Sequence, residues 1–252
     1  MFSNIDVEQT FADFVEEYGG VVSDRTPGKK TLNADYIFHD AKVVAELKVL
    51  KDNPFTSKEF RKSLDKKTKQ WIRDGYITPT QLKRVQKLKD LPDKCWRDTE
   101  KLYVRPLKTH VEKANRQIKS TKQSEQIEDY KGLLILVSDG NYLLEPKNIR
   151  LAIGRLLEDD NRYRSINTVL YLTVNMLTQR PDEPTHSRLW TNLYRSENQA
   201  NDVSTHFLDD LYDKWAEYFS KVTGIPIRKV FEVNEEGITE VDLLKDTKFV
   251  RP

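Results

Sequence analysis

The sequence predicts an α/β domain: a mixed β-sheet flanked by helices on both faces, interrupted by a basic helical insertion. Three observations predict it. Two apolar runs bounded by turn signals, "LLILV" at 133–137 and "INTVLYLTVN" at 166–175, read as central strands covered on both sides. Stretches with helical apolar spacing interleave with them, as layered α/β packing requires. The charge is also partitioned. Residues 51–122 hold 21 Lys and Arg against 9 Asp and Glu, a net +12 that leaves −10 on the rest of a chain totalling +2. Such a split suits one face built for a polyanion. The expected organisation is one domain over 1–252. Its core covers 6–50 and 107–175, the basic insertion 51–106, and a helical and irregular extension 176–252.

Each element follows from local pattern. Over 6–18, Val7, Phe11, Phe14, Val15 and Tyr18 recur at helical spacing, and Gly19-Gly20 ends the run. A short strand at 21–24 leads through the turn-rich "RTPGKK" to a hairpin over 31–49. Thr56 or Ser57 can cap a helix striped by Phe60, Leu64 and Trp71 and stopped at Gly75. Thr78-Pro79 opens another, with Leu82, Val85 and Leu88 on one side. After "LPDKCWRD" a longer helix is expected over 107–127, turning Leu107, Val111, Ala114 and Ile118 inward. Pro146 starts a helix reaching Leu157. The stretch 176–200, with Pro181, Pro184 and many polar residues, reads as mostly loop. A helix over 202–221 turns Phe207, Leu208, Leu211, Trp215 and Phe219 inward; "IPIRKVFEV" at 225–233 adds a strand, and the tail reads as irregular.

The hairpin carries three charges among apolar residues, and charge is costly to desolvate without a partner. If Asp40-Ala41 is its two-residue turn, facing positions sum to 81 and Asp35 sits opposite Glu46. Their Cβ atoms would then lie roughly 4.5–5.5 Å apart on one face. Lys48 follows on that face, while Ala34, Tyr36, Phe38, Val43, Ala45 and Leu47 point the other way. Two carboxylates so close repel unless a cation lies between them. Mg²⁺, with Mn²⁺ as substitute, suits such a pair, because it takes one or two carboxylates plus waters and substrate phosphate. Lys48 beside it could orient or deprotonate an attacking water or stabilise charge on phosphate.

Asp35, ten residues, then Glu46-Leu47-Lys48 resembles the Asp…(Asp/Glu)-x-Lys signature of the PD-(D/E)XK nuclease superfamily, the restriction-endonuclease-like fold. The order helix, antiparallel strands, helix, strand over 6–138 is similar to that family's core. The resemblance implies a metal-dependent nuclease hydrolysing DNA by metal-activated water, an endonuclease, with Asp35, Glu46 and Lys48 catalytic. Glu8, on the first helix, would join Asp35 and Glu46 at the metal. Gln117 matches a catalytic Gln found on the later helix of some members, although Thr121 stands where those members carry Tyr. Ala34 replaces the Pro of the family's name. Many such nucleases pair as homodimers to cut both strands. Phosphate contacts would come from Lys62, Lys66, Lys67, Lys69, Lys83, Arg84, Lys87, Arg116 and Lys119. Two alternatives stay open: a non-catalytic nucleic-acid-binding or assembly protein of the same fold, and an RNA-directed nuclease.

Other chemistries lack residues. The lone Cys95 excludes an internal disulfide framework, and no G-x4-GK[ST] loop is present to hold a nucleotide cofactor. His39, His110, His186 and His206 are scattered without metal-ligand spacing and read as surface or packing residues. Trp71, Trp96, Trp190 and Trp215 read as core, with Trp96, between Lys94 and Arg97, the best candidate for base stacking. Ser138 and Asp139 end a strand near the site. With no membrane-length apolar run and no signal-like start, a cytoplasmic protein without a membrane partner is expected.

Overall fold

Asp6 starts the first helix, α1 (Val7–Tyr18), by accepting from the N–H groups of Glu8 and Gln9 at 3.1 and 3.2 Å. Gly19, at φ +92°, ends it: its N–H donates to Glu16 and that of Gly20 to Val15, the paired bonds of a left-handed C-cap. The computed structural model describes residues 5–23, 33–51, 58–85, 90–139, 146–157, 162–175, 177–179, 190–194, 202–224 and 248–250. The chain divides into two compact units. One comprises Met1–Asp52 with His110–Pro252, the other Asn53–Thr109.

The larger unit is an α/β layer structure. Its strands β1 (Val21–Val22), β2 (Tyr36–Phe38), β3 (Val43–Leu50), β4 (Lys131–Ser138), β5 (Thr168–Thr173) and β7 (Trp190–Tyr194) form a mixed sheet in the order β1-β2-β3-β4-β5-β7. The centre, β3-β4-β5, is parallel; β1, β2 and β7 run antiparallel to their neighbours. A second sheet pairs β6 (Leu177–Gln179) with β8 (Lys248–Val250). Alternation divides the sheet's faces. Tyr36, Phe38, Val43, Ala45, Leu47, Leu133, Ile135, Val137, Leu170 and Leu172 share one cluster with Phe11, Phe14 and Val15 of α1 and with Leu208, Leu211, Trp215 and Phe219 of α6 (Thr205–Thr223). The other face, with Ile37, Val44, Leu134, Leu136, Val169 and Tyr171, is equally buried. On that side Thr121 of α4 (Asp93–Ser124) accepts from the N–H of Ala34 at 2.6 Å, and Ile118 closes on Gly132. Ile149, Ala152, Ile153 and Leu157 of α5 (Pro146–Leu157) are buried as well. Each such side chain contributes roughly 1.5–3 kcal/mol by leaving water, so the parallel centre is the most strongly held part of the sheet.

The smaller unit contains α2 (Lys58–Arg73), α3 (Pro79–Arg84) and the first half of α4. Trp71, Ile77, Leu91 and Cys95 make its core, with Leu64, Leu82 and Trp96 against it. Thr78 and Gln81 form a capping box at the start of α3, and Pro79 sits at its first turn. Asp98, 5% exposed, gathers the indole N–H of Trp71 at 3.1 Å and the Lys94 ammonium at 2.9 Å, with Lys67 at 3.7 Å.

Several expectations need correction. The helix expected over 107–127 begins at Asp93 and ends at Ser124. Pro106, which lacks an N–H and ordinarily breaks a helix at a cost of about 3 kcal/mol, lies inside it. The upstream turns are anchored by Cys95 in the small core and by Asp98, so tertiary packing overrides the local signal. The stretch 176–200, expected to be mostly loop, supplies β6 and β7, and β7 hydrogen-bonds β5 over Thr168–Leu172; its other residues lie outside the described ones. Thr191 and Asn192 disguised that strand as polar linker. The tail supplies β8 rather than remaining irregular throughout, and the strand expected at 21–24 is resolved as Val21–Val22. Thr56, Ser57, Lys87, Leu88, His186 and all of "RTPGKK" and "IPIRKVFEV" lie outside the described residues.

Candidate functional site

The hairpin closes as a two-residue turn. Lys42, at φ +53°, donates its N–H to His39 at 3.1 Å across Asp40-Ala41. Tyr36 faces Ala45, Ile37 faces Val44 and Phe38 faces Val43, and the same register carried one step further sets Asp35 against Glu46. There the two carboxylates take backbone donors. The Asp35 N–H donates to Glu46 Oε2 at 3.1 Å, and the Leu47 N–H donates to Asp35 Oδ2 at 2.8 Å. Glu46 Oε1 accepts from the Lys48 ammonium. Glu46 is thereby tied to Lys48 and to the Asp35 backbone, and the Asp35 carboxylate to the backbone of β3.

Their electrostatics conflict. Glu46 is fully buried, and Lys48 is largely so, with 12% of its side chain exposed. Burial first, then the charge of Asp35, push the Glu46 carboxyl up to about 8; Lys48 and the Asp35 N–H pull the other way without cancelling them. Lys48 alone therefore leaves the Glu46 carboxylate under-compensated.

A cleft of about 450 Å³ opens onto this pair, lined by Glu8, Gln9 and Ala12 of α1, Val22, Asp35, Tyr36, Glu46, Leu47, Lys48, and Lys113 and Gln117 of α4. Glu8 stands at its rim, with its side chain 65% exposed and 3.8 Å from the Lys51 ammonium. Among the described residues no group of three or more His, Cys, Asp or Glu converges as a metal cage. The pair Asp35–Glu46 nonetheless fits a divalent ion of the Mg²⁺ type, which needs only one or two carboxylates and keeps its waters. The raised carboxyl of Glu46 is what a cation there would relieve.

Gln117, 8% exposed, donates its Nε2 to the carbonyl of Asn33 at 3.0 Å, while its buried Oε1 has no hydrogen-bond partner among the described residues. Lys113 was not singled out in the sequence. Its signal is spacing: it precedes Gln117 by one helical turn and shares that edge of α4. His110 lies near as well, its pKa lowered by burial and then by the charges of Lys48 and Lys113.

The remaining site candidates are elsewhere. Ser138 is buried in the strand end, and Asp139 accepts from Asn175 at 3.0 Å. Arg116 and Lys119 are exposed on α4 in the larger unit. In the smaller unit, Lys62, Lys66 and Lys69 are exposed at helical spacing on α2, and Lys83 and Arg84 are exposed on α3. Lys67 instead lies against Asp98. Trp71, Trp190 and Trp215 are core residues, and Trp96 is half-buried against the small core.

No helix among the described residues is long and apolar enough to cross a membrane. Comparison with known proteins finds no matching family model, no matching curated protein and no matching solved structure.

Proposed function

We propose that the protein is a Mg²⁺-dependent nuclease of the restriction-endonuclease-like fold, acting on DNA, with Asp35, Glu46 and Lys48 as its centre. The observation that carries this reading is the cleft-facing pair Asp35–Glu46, one carboxylate of which is held near pKa 8 beside a lysine. A structural ion pair gains little from burying a carboxylate with one ammonium beside a second carboxylate, because desolvation offsets the Coulomb attraction. A cation site does need that excess of negative charge.

Asp35 and Glu46 would hold the ion. When bound, it supplies Lewis acidity toward phosphate and lowers the pKa of a coordinated water. The protein's own residues do the rest. The N–H groups of Asp35 and Leu47 fix the two carboxylates, so the ligands are oriented before substrate arrives. Lys48, whose ammonium lies at Glu46, would present its positive charge where negative charge accumulates on the phosphate. The exposed cations of α2 and α3, with Arg116 and Lys119, supply backbone contacts that carry no base information.

A binding-only role is the second reading, favoured by one observation: Lys48 already occupies Glu46. The test is to incubate supercoiled plasmid, linear duplex, single-stranded DNA and RNA with protein in Mg²⁺, Mn²⁺ or EDTA. DNA products with either metal and none in EDTA are expected. Cutting of RNA alone would change the substrate class, and binding without cutting of any substrate would select the binding module.

A further inference from the structure

We infer that Lys113 is the phosphate clamp of the cleft, binding a backbone phosphate next to the scissile one. The inference rests on the nuclease reading and names a residue that reading does not use.

Two ammonium groups line the cleft, those of Lys48 and Lys113. Lys48, 12% exposed and bonded to Glu46, belongs to the centre already described. Lys113 is exposed and makes no ion pair or hydrogen bond among the described residues. A lysine is a compact charge on a flexible stem that reaches phosphate as a point cation. Its place is defined by the helix. Val111, Ala114 and Ile118 are buried and hold α4 against the sheet, which leaves residue 113 at the margin of the packed face, above Gln117. The buried, unpartnered Oε1 of Gln117 marks the same wall as built for a further polar group, since a buried acceptor left unpaired costs about 1–3 kcal/mol. Lys113 and Lys48 both lower the pKa of His110, so the two cations share one neighbourhood of the cleft.

Duplex binding is measured by fluorescence anisotropy over a series of salt concentrations in EDTA, and cleavage kinetics in Mg²⁺, for the parent, Lys113→Ala, Lys113→Arg and a control, Lys221→Ala. Lys221 pairs with Glu17 outside the cleft. Loss of one phosphate contact should reduce the magnitude of the log–log salt slope by about 0.9. A clamp binds ground and transition states alike, so Lys113→Ala should raise KM about tenfold with kcat within about twofold. Lys113→Arg should restore both, and the control should match the parent. If Lys113→Ala binds and cuts like an active parent, the clamp assignment is overturned and the nuclease reading stands. A fall in kcat alone overturns it too, by placing Lys113 on the transition state. A parent that binds without cutting still supports the clamp if the slope shifts. A parent that neither binds nor cuts removes both readings.

Discussion

At Glu46 two demands oppose each other, since a buried carboxyl prefers to be neutral and a cation ligand must be charged. An acid whose folded pKa is raised from 4.5 to about 8 favours the fold while protonated. The sign follows. With no metal bound, this group's contribution is fully present below about pH 4.5 and is lost as pH rises toward about 8. Replacing it with Gln keeps the shape and removes the charge. Glu46→Gln should therefore melt higher than the parent at pH 8 in EDTA, with the gap closing toward pH 4.5. A lower melting temperature at pH 8 would mean that the Glu46–Lys48 pair stabilises the fold on balance. Lys48→Ala tests a different property of the same trio. It should leave duplex affinity nearly unchanged and reduce kcat by about 10²-fold or more, because one cation among many adds little binding but acts where charge develops. Equal kcat in a gel-and-kinetics comparison would make Lys48 a structural partner of Glu46 only.

Elements are held by a few contacts that tolerate no substitute. A Cβ on Gly132 of β4 would stand 1.7 Å from the carbonyl oxygen of Ser165 and 3.0 Å from Ile118. Backbone cannot yield as a side-chain tip can, so Gly132→Ala should destabilise by about 2 kcal/mol or more. Urea titration would show a lower midpoint at constant slope. In the smaller unit, Asp98→Ala strips Trp71 of its acceptor and should cost on the order of 2 kcal/mol there. Hydrogen exchange should accelerate along α2 while β4 stays protected. Loss of protection in β4 as well would show that the two units unfold as one. At this scale the sequence was legible wherever periodicity had one solution. Alternation with a two-residue turn pinned the hairpin's register, and continuous apolar runs located β4 and β5. It was illegible where tertiary contacts overruled local signals. The helix is expected only from 107, after "LPDKCWRD", although α4 runs from Asp93 through Pro106, and the polar "WTNLY" concealed β7, whose place depends on pairing with β5. Of the site, Asp35, Glu46 and Lys48 could be placed on one face from parity alone. The role of Lys113 could not, because it depends on which wall of the cleft α4 forms.

Across the whole molecule, charge follows the division into units. Residues 53–109 carry 16 Lys and Arg against 7 Asp and Glu, a net +9, and the remainder is −7. If the smaller unit tracks phosphate, reversing Lys62, Lys66 and Lys69 to Glu should weaken binding to all duplex sequences alike. The salt slope should also fall by up to about 2.7 if each contacts one phosphate. A sequence-dependent loss would instead mean that these side chains read bases. The central claim is that one carboxylate pair binds the metal and drives the chemistry, and it is tested most directly by plasmid cleavage. Supercoiled plasmid is incubated with parent or Glu46→Gln protein, each shown to be folded, in Mg²⁺ and in EDTA. The account predicts nicked or linear DNA only from the parent with Mg²⁺; equal cutting by Glu46→Gln, or by the parent in EDTA, would contradict it.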